Sequence, residues 1–392
     1  VCPPRCPTKL GSPMMWPGNP QRRTIKVRRP HLTPRKSRNM QTVELQTPTG
    51  LSQIFLGGKL EQLPALAAQR RMMIVTDETV SALYRDQFPS VPVFPIPPGE
   101  ASKTLPQAQR LYEWLRAQAA DRQTLLVGVG GGVVCDLTGF VASTFMRGMP
   151  CGYVASTLLA QIDASVGGKT GVNFGGLKNI VGTFSQPEFV ICDTDLLASL
   201  PDDELQNGFA EAIKHGLIAD ADLFAFMLDQ AEDALSLSAA AIERIVGDSV
   251  RLKARIVAAD EREGGQRRLL NFGHTLGHAI EKVFGISHGR AVALGMLRAT
   301  SASEKRGLVT AAQSEPVRQI LCAYHLLPES ATHPTTALLN GPVDARTRQA
   351  LIEAMGSDKK KQSHEIALVL LAGVGHAVIS REPIRACEEL LP

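Results

Sequence analysis

The chain has 392 residues, of which 44% are hydrophobic and 20% charged, a composition typical of a globular protein with a substantial core. No stretch of about 18 consecutive apolar residues occurs, which argues against a transmembrane helix, and the seven cysteines include no CxxC pair, which favours a reducing cytoplasm over a disulfide framework. The net charge of +4 comes from residues 1–40, which hold ten Lys and Arg and no Asp or Glu, so residues 41–392 carry about −6 (4 − 10).

Residues 1–39 are predicted to be a disordered basic tail, because they are rich in proline and lack the apolar segment of a secretory signal. We interpret them as sequence upstream of a start at Met40 and expect them to be dispensable. The density of proline disfavours an amphipathic transit peptide, and a nucleic-acid-binding arm is the remaining alternative. We expect no nucleic-acid partner, no membrane association and a cytoplasmic location.

Between Val43 and Leu200, short β-like runs alternate with helical segments. Apolar residues at helical spacing predict a helix over 102–120 that begins at Ser102. Strands are predicted within 71–80, 91–100, 124–143, 151–157 and 189–194, and further helices follow the strand signals of the first and third of these segments. Alternating strands and helices are typical of a parallel, Rossmann-like sheet.

After Leu200 the pattern becomes helical. Helices are predicted over 202–218, over the long run 220–259, around the histidine-rich segment 269–289 and over 290–304, with a weak strand signal at 366–375. We therefore predict an α/β, Rossmann-like N-terminal nucleotide-binding domain over 40–200 and an all-helical C-terminal domain over 201–392. The boundary is placed near Ser199, and a site is expected in the cleft between the domains.

A glycine-rich turn follows the buried strand signal near residue 127. Gly128 and Gly130–Gly132 stand between this strand and the next helix, where backbone N–H groups can approach a pyrophosphate at the helix N-terminus. The sequence matches neither GxGxxG, since Val133 occupies the last glycine position, nor a P-loop. A tight strand-to-helix turn without a ligand is the alternative.

The segment 156–179 combines functional residue types with glycines and small residues. Lysines beside glycines are good binders of phosphate or carboxylate groups, and the apolar flanks make a solvated surface loop the less favoured alternative. The polar residues concerned are Asp163, Lys169, Asn173, Lys178 and Asn179.

Three histidines within fifteen residues suggest a divalent metal site. His274 and His278 share one helical face and His288 follows closely, although an HxxxH pair is by itself also compatible with a core or a solvated face. Glu211, beside Lys214 in a mostly apolar helix, is the candidate carboxylate to complete the cluster. Further basic groups suit an anionic substrate with phosphate and carboxylate ends: Lys253, Arg267, Arg268 and the run Asp358–Lys361.

The ordered set of motifs resembles the 3-dehydroquinate synthase family over about residues 43–380. The carrying segments are GEASKTL, GGGVVCDLTGF, FMRG, STLLAQIDASVGGKTGVN, LKNIVGTFSQP, GFAEAIKHGLI, ADEREGGQRRLLNFGHTLGHAIE, HG and DKK. The combination of SVGGKTGVN with NFGHTxGHAIE is specific to that family. The resemblance implies an NAD- and metal-dependent carbon–oxygen lyase of the shikimate pathway.

The implied reaction converts 3-deoxy-D-arabino-heptulosonate 7-phosphate into 3-dehydroquinate and phosphate. NAD oxidises the C5 alcohol, a divalent metal (Zn²⁺ or Co²⁺) polarises the ketone, phosphate leaves by β-elimination, and the hydride returns before ring opening and an intramolecular aldol step. The protein then mainly orients groups and stabilises charge. The resemblance also implies a homodimer.

The resemblance assigns site residues position by position. The metal ligands are Glu211, His274 and His288, so that the HxxxH pair is divided between metal and substrate. Substrate-handling residues are Arg147, Asp163, Lys169, Asn179, Lys214, Lys253, Arg267, Asn271, His278 and Lys359. NAD-binding residues are Gly99, Glu100, Lys103, Gly132, Val133, Val134, Cys135, Asp136, Ser156, Thr157, Lys169, Lys178, Leu196 and Ser199.

Four positions depart from the family pattern. Arg290 stands where Glu is usual, Cys135 replaces Gly, Ser156 replaces Thr and Ser185 replaces His. Arg290 reverses a charge two residues from His288, so metal binding is expected to be weakened unless Arg290 points away or pairs with a carboxylate.

Three alternative functions stay open at this point. They are another sugar phosphate cyclase, such as a 2-deoxy-scyllo-inosose synthase-like enzyme, a metal-dependent polyol dehydrogenase, and a binding protein that has lost activity. Arg267, as a partner for a carboxylate, favours the heptulosonate substrate.

Overall fold

The computed structural model of the chain describes residues 40–328, 333, 335–341, 343–357 and 365–391. The predicted tail, residues 1–39, and Lys359 with its neighbouring lysines lie outside these ranges, so what was predicted for them stays a prediction.

The N-terminal half consists of strands and helices in the predicted alternation. Its strands are β1 (Gln41–Thr47), β2 (Gly50–Leu56), β3 (Met72–Asp77), β4 (Val93–Ile96), β5 (Leu125–Gly130), β6 (Cys151–Ala155), β7 (Lys169–Phe174), β8 (Leu177–Phe184) and β9 (Phe189–Cys192). Its helices are α1 (Leu63–Leu66), α2 (Glu78–Tyr84), α3 (Leu105–Ala117) and α4 (Gly132–Thr144).

Seven strands form one sheet in the order β1-β2-β9-β6-β5-β3-β4. β1 and β2 are antiparallel and all other neighbours are parallel. The chain passes from β3 outward to β4, but from β5 to β6 in the opposite direction, so the strand order reverses between β3 and β5. A nucleotide binds in such sheets at the carboxyl ends of the strands beside this reversal, which is where Gly130 ends β5.

Two apolar clusters cover the two faces of the sheet. Successive residues of β5 belong alternately to one and the other, as Leu126 packs in the larger cluster and Leu125 and Val127 in the smaller. This explains why the strand reads as a continuous apolar run, because both of its faces are buried.

Helix α3 begins at Leu105, so the predicted start at Ser102 is wrong. Thr104 caps the helix by accepting a hydrogen bond from the N–H of Gln107 (3.3 Å), and Pro106 occupies the first turn. The hydroxyl of Ser102 instead donates to the carbonyl of Pro97.

The C-terminal half is helical, with one hairpin among its described residues. The helices are α5 (Asp202–Ala219), α6 (Ala221–Asp229), α7 (Ala231–Leu235), α8 (Ala239–Ala259), α9 (His274–Phe284), α10 (His288–Lys305), α11 (Ala311–Ala323), α12 (Ala337–Asn340) and α13 (Ala345–Ser357). The hairpin joins β10 (Glu365–Gly373) to β11 (His376–Pro383), and β10 covers the weak strand signal. None of the described helices has both the length and the apolar composition to cross a bilayer.

The predicted single run over 220–259 is wrong, because three helices, α6 to α8, occupy it. Asp220 accepts a hydrogen bond from the N–H of Leu223 (2.9 Å) and so starts a new helix, while Leu237 has a left-handed φ of +58° before α8. Helix α5 begins at Asp202, after the predicted domain boundary, which itself stays a prediction.

Candidate active site

Three side chains from three helices of the C-terminal half converge on one point. Glu211 of α5 is fully buried, and its Oε1 lies 3.3 Å from Nε2 of His274 and 3.3 Å from Nε2 of His288. The three candidate ligand atoms lie within 4.8 Å of one another. This distance is compatible with a single ion bound to all three, because such bonds are about 2.0–2.2 Å long.

The other ring nitrogen of each histidine already has a partner. Nδ1 of His274 lies 3.2 Å from the carbonyl oxygen of Phe272, and Nδ1 of His288 lies 3.4 Å from Oε2 of Glu281. Both partners accept a hydrogen bond from Nδ1–H, and Nε2 of each ring faces Oε1 of Glu211 as a candidate ligand atom. The donor set of two imidazoles and one carboxylate fits zinc and similar divalent ions.

The electrostatics of the cluster favour a cation. Burial raises the pKa of the Glu211 carboxyl, but the adjacent Lys214 and His274 hold this pKa well below its ordinary value, so the carboxylate is ionised. Burial lowers the pKa of His288, but Glu211 and Glu281 raise it to about 9. Without a metal, Nε2 of this ring therefore carries a proton near neutral pH, and a bound metal ion would displace that proton. Burial and the neighbouring Lys214 lower the pKa of His274 to about 4, which keeps its imidazole neutral.

Glycines allow the ligand-bearing helices to approach closely. A Cβ at Gly295 would clash with the backbone oxygen of Gly273, which precedes His274, and a Cβ at Gly289 would lie 2.7 Å from Cα of Asn207 on α5. The N–H of Gly289 also donates to Oδ1 of Asn207 (2.7 Å). The start of α9 thereby packs against the interior of α10 at Gly295, and the first turn of α10 packs against α5 at Asn207.

His278 lies one turn after His274 and is exposed. Its ring centroid lies 5.2 Å from that of His274 and 6.1 Å from that of His288. His278 therefore lines the cluster without joining the converging group formed by Glu211, His274 and His288.

A second polar cluster adjoins the first. Lys253 of α8 donates to both the side chain and the backbone carbonyl of Asp163, and Lys214 contacts the remaining oxygen of Glu211. Burial raises the pKa of Asp163, but Lys253 and Lys214 hold it below its ordinary value. Burial lowers the pKa of Lys253 to about 8, against the opposing effect of Asp163.

The sequence analysis missed Glu263, which joins two of the predicted substrate residues. Its carboxylate contacts Nζ of Lys169 and Nδ2 of Asn271. The available signal was its position in EREGG, between the helical run and the histidine segment, where a left-handed φ of +60° marks a turn.

Arg267 is buried and bound by backbone oxygens in this arrangement. Its guanidinium donates to the carbonyls of Glu261 and Gly167, the latter at 3.0 Å. Its Nε is fully buried and has no hydrogen-bond partner among the described residues. The group holds the segment before Lys169 against the end of α8, and its predicted contact with a substrate carboxylate stays a prediction.

The predicted nucleotide-binding residues surround the turn after β5. Lys103 forms an ion pair with Asp136 in α4, and Glu100 accepts a hydrogen bond from Nδ2 of Asn173 (2.8 Å). Asn173 also accepts from the N–H of Asn179 (2.9 Å), which binds the tip of the β7–β8 hairpin to this side.

The glycine turn is held close to its neighbours. A Cβ at Gly130 would lie 2.6 Å from Val134, and one at Gly132 would lie 3.1 Å from Cβ of Ala164. The remaining predicted residues of this part differ in exposure. Gly99 is exposed, and the partly buried residues are Val133, Thr157 and Ser199. The buried residues are Val134, Cys135, Ser156 and Leu196. Buried Val134 and Cys135 are expected to offer a ligand their backbone only.

Two predicted residues, Arg147 and Lys178, have surroundings that differ from those of the others. Arg147 is exposed just beyond α4 and, within the described residues, forms no hydrogen bond or ion pair with the other predicted residues. Lys178 forms an ion pair with Glu281 (2.6 Å). Glu281 was also missed by the sequence analysis, although it lies seven residues after His274 and hence on the same face of α9.

Arg290 points away from the metal cluster. Its Nε donates to Oε1 of Gln206 (3.1 Å) and its Nη2 lies 3.8 Å from Oδ1 of Asp203, both on α5. Because Arg290 pairs with the carboxylate of Asp203, its positive charge is compatible with metal binding. Of the other departures, Ser185 donates its N–H to the carbonyl of Gly168 (2.8 Å), and Cys135 is packed in the core.

The parallel, Rossmann-like sheet followed by a helical half is a two-part fold that this chain shares with solved sugar phosphate cyclases. The structure is similar to 2-deoxy-scyllo-inosose synthase complexed with carbaglucose-6-phosphate, NAD⁺ and Co²⁺ (TM-score 0.77, 24% identity, 89% of this chain and 99% of that one). It is also similar to 2-epi-5-epi-valiolone synthase from Streptomyces hygroscopicus subsp. jinggangensis 5008 with NAD⁺ and Zn²⁺ bound (TM-score 0.74, 27% identity, 90% and 98%).

Sequence comparison specifies the family. The 3-dehydroquinate synthase N-terminal and C-terminal family models match residues 93–207 and 208–361. A 3-dehydroquinate synthase from Paracoccus denitrificans is 40% identical over 332 residues, 82% of this chain and 88% of the relative. The chain belongs to the 3-dehydroquinate synthase family and is an enzyme, a phosphate-eliminating cyclase. The predicted fold class and family are confirmed.

Proposed function

We propose that the two clusters and the glycine turn form one active site, which converts 3-deoxy-D-arabino-heptulosonate 7-phosphate into 3-dehydroquinate and phosphate. The main support for the proposal is the convergence of Nε2 of His274 and Nε2 of His288 on Glu211. The second polar cluster, in which Lys253 pairs with Asp163, adjoins this point. A divalent cation and an anionic sugar acid are complementary to these two neighbouring environments.

Glu211, His274 and His288 hold the metal, and the turn after β5 holds NAD. When bound, NAD exchanges a hydride with the substrate and the metal polarises the oxygens of the reacting carbon. The two structural neighbours contain NAD⁺ with Co²⁺ or Zn²⁺, which supports both cofactors for this chain.

The basic and amide side chains bind and orient the substrate. Lys169 and Asn271, already held by Glu263, offer charge and hydrogen bonds near the hairpin, and Lys253 and Lys214 are held by carboxylates. Fixed donors of this kind stabilise developing negative charge at little cost in reorganisation. Arg267, Asn179, Arg147, His278 and Lys359 complete the proposed substrate-handling set.

On the nucleotide side, Lys103, Asp136 and Glu100 are the polar groups proposed to contact NAD. The N-terminus of α4, which begins at Gly132, directs backbone N–H groups toward a pyrophosphate. Lys178, Ser156, Thr157 and Ser199 are proposed to contribute further hydrogen bonds.

A homodimer and a cytoplasmic location belong to the same proposal. Arg147 forms no hydrogen bond or ion pair with the other proposed substrate residues that the structure describes, and Met146, Phe174 and Ile180 are exposed apolar side chains (46%, 59% and 45%). A second copy would cover such groups. The described cysteines are all free thiols, as a reducing compartment favours.

The test is release of inorganic phosphate from the heptulosonate phosphate, with substoichiometric NAD and added Zn²⁺ or Co²⁺. We expect many turnovers per NAD and no net NADH. A polyol dehydrogenase would accumulate NADH and release no phosphate, and an enzyme of the inosose type would release phosphate from a hexose 6-phosphate instead. Absence of turnover with every substrate in the presence of bound metal would indicate a binding protein and contradict the proposal.

A further inference from the structure

The two imidazoles of the cluster differ in what holds them. Nδ1 of His274 is hydrogen-bonded to the backbone carbonyl of Phe272, two residues away in the chain. His288 uses the side chain of Glu281, which lies on α9 while His288 begins α10. Helix α9 therefore supplies one histidine of the cluster and also the carboxylate that contacts the other.

We propose that Glu281 is a positioning residue of the metal site: it accepts a hydrogen bond from Nδ1–H of His288 and so presents Nε2 of that ring to the metal. The inference rests on the proposed metal-binding role of Glu211, His274 and His288. Carboxylates in this position fix the tautomer and the orientation of a ligating imidazole and increase its basicity.

Glu281 has a second partner, which defines the alternative. Its Oε1 lies 2.6 Å from Nζ of Lys178 on β8, so the carboxylate could serve chiefly to hold the hairpin. The Lys178 side chain is 55% exposed, whereas those of Glu281 and His288 are 20% and 26% exposed. The contact with Lys178 is the shorter of the two, but water screens it more strongly and exposed pairs contribute little, so the lower exposure of the His288 contact favours the role in the metal site.

The proposal is tested by Zn²⁺ affinity, measured on the purified full chain by competition with a chromophoric chelator, and by the visible spectrum of the Co²⁺ form. Glu281→Ala is expected to weaken Zn²⁺ binding about 10- to 100-fold and to alter the Co²⁺ spectrum. Glu281→Gln keeps an oxygen acceptor for Nδ1–H and is expected to lose less. Lys178→Met keeps the carboxylate and is expected to bind Zn²⁺ within about threefold of wild type.

Two further variants show whether a loss of Zn²⁺ binding comes from a disturbed helix or from an incorrect assignment of the metal site. Lys282→Ala removes the exposed neighbour on the same helix and controls for disturbance of α9, and the thermal unfolding of each metal-free variant shows whether it has folded. His274→Ala should lose Zn²⁺ binding altogether. If it binds like wild type, the proposed metal site is wrong.

If His274→Ala loses the metal while Glu281→Ala binds Zn²⁺ within about threefold of wild type, only the role of Glu281 is wrong. Equal losses in Glu281→Ala and Lys178→Met would also overturn it, because the carboxylate would then act through the hairpin. A loss confined to Glu281→Ala, with partial retention in Glu281→Gln, supports the proposal.

Discussion

Glu211 is a buried carboxylate whose two oxygens are divided between two kinds of partner. One oxygen contacts Lys214 and the other lies between the Nε2 atoms of His274 and His288. A buried charge with fewer partners would be costly. Burial of this carboxylate lowers the stability of the fold, and it leaves one carboxylate oxygen available to a cation.

His278 tests the division of roles along α9. The His278→Ala variant should lower turnover by about 100-fold or more, as expected for a lost proton-transferring or charge-stabilising group, while metal content stays near one ion per chain. Metal analysis and phosphate release on the same preparation measure both. Loss of metal in proportion to activity would make His278 a ligand, contrary to its position outside the converging group.

The Asp163–Lys253 pair tests how strongly the second cluster depends on charge balance. Lys253→Met leaves a partly buried carboxylate without its closest cation and should lower the free energy of unfolding by about 3–5 kcal/mol. The double variant with Asp163→Asn should lose less than the sum of the two single losses, with a coupling of about 1–3 kcal/mol. The free energies of unfolding for this double-mutant cycle are measured by urea unfolding of the metal-free chains. Additive losses would show that the two side chains do not interact in solution.

At the scale of elements, the site depends on how closely α9 and α10 approach. A Cβ at Gly295 would clash with the oxygen of Gly273, one residue before His274. Close-packed helices cannot accommodate such a group without moving apart, so the positions of the two histidines are coupled to this glycine.

Gly295→Ala is therefore expected to lower the free energy of unfolding by about 2 kcal/mol or more and to weaken Zn²⁺ binding. Gly356→Ala near the end of α13 is the matched control, because no described residue lies within 4 Å of the added Cβ, and it is expected to change the free energy of unfolding by less than about 1 kcal/mol. Thermal unfolding and chelator competition measure the two effects. Equal behaviour of the two variants would show that α9 and α10 are not packed as described.

The elements that could be predicted were those with strong periodicity, such as β5 and α4, whose apolar and glycine pattern was unambiguous. The β7–β8 hairpin was not assigned, although Gly175 and Gly176 have φ of +59° and +76° and form a two-residue turn. Two glycines between apolar runs are a hairpin signal, which the concentration of functional residue types obscured. The break at Asp220 likewise had a capping signal.

The ligand types of the metal cluster could be predicted from residue identity, but the separation of His274 from His278 came from the family resemblance. Helical spacing places both on one face. Only the tertiary packing places His274 in the first turn of α9 with its Nδ1 on Phe272 and leaves His278 exposed. The contacts of Glu263 with Lys169 and of Glu281 with Lys178 join residues 94 and 103 positions apart, and local patterns do not reveal such pairs.

On the scale of the whole molecule, the two halves of the chain meet through the site itself. In the part of the chain that the structure describes, three lysine–carboxylate ion pairs join a residue before the predicted boundary to one after it: Lys169–Glu263, Asp163–Lys253 and Lys178–Glu281. Away from the site, Glu261 contacts Thr49 and Gln186, and β1 packs on α8. Neither half therefore keeps its polar groups paired without the other.

We accordingly expect the chain to unfold in one cooperative transition, although two domains are predicted from its sequence. In scanning calorimetry the calorimetric and van't Hoff enthalpies should agree, and Gly295→Ala should shift this single transition to lower temperature. Scans at several protein concentrations separate the effect of subunit association, which makes the midpoint depend on concentration. Two resolved transitions, of which Gly295→Ala shifts only one, would show that the halves are independent and that the contacts across the boundary contribute little to stability.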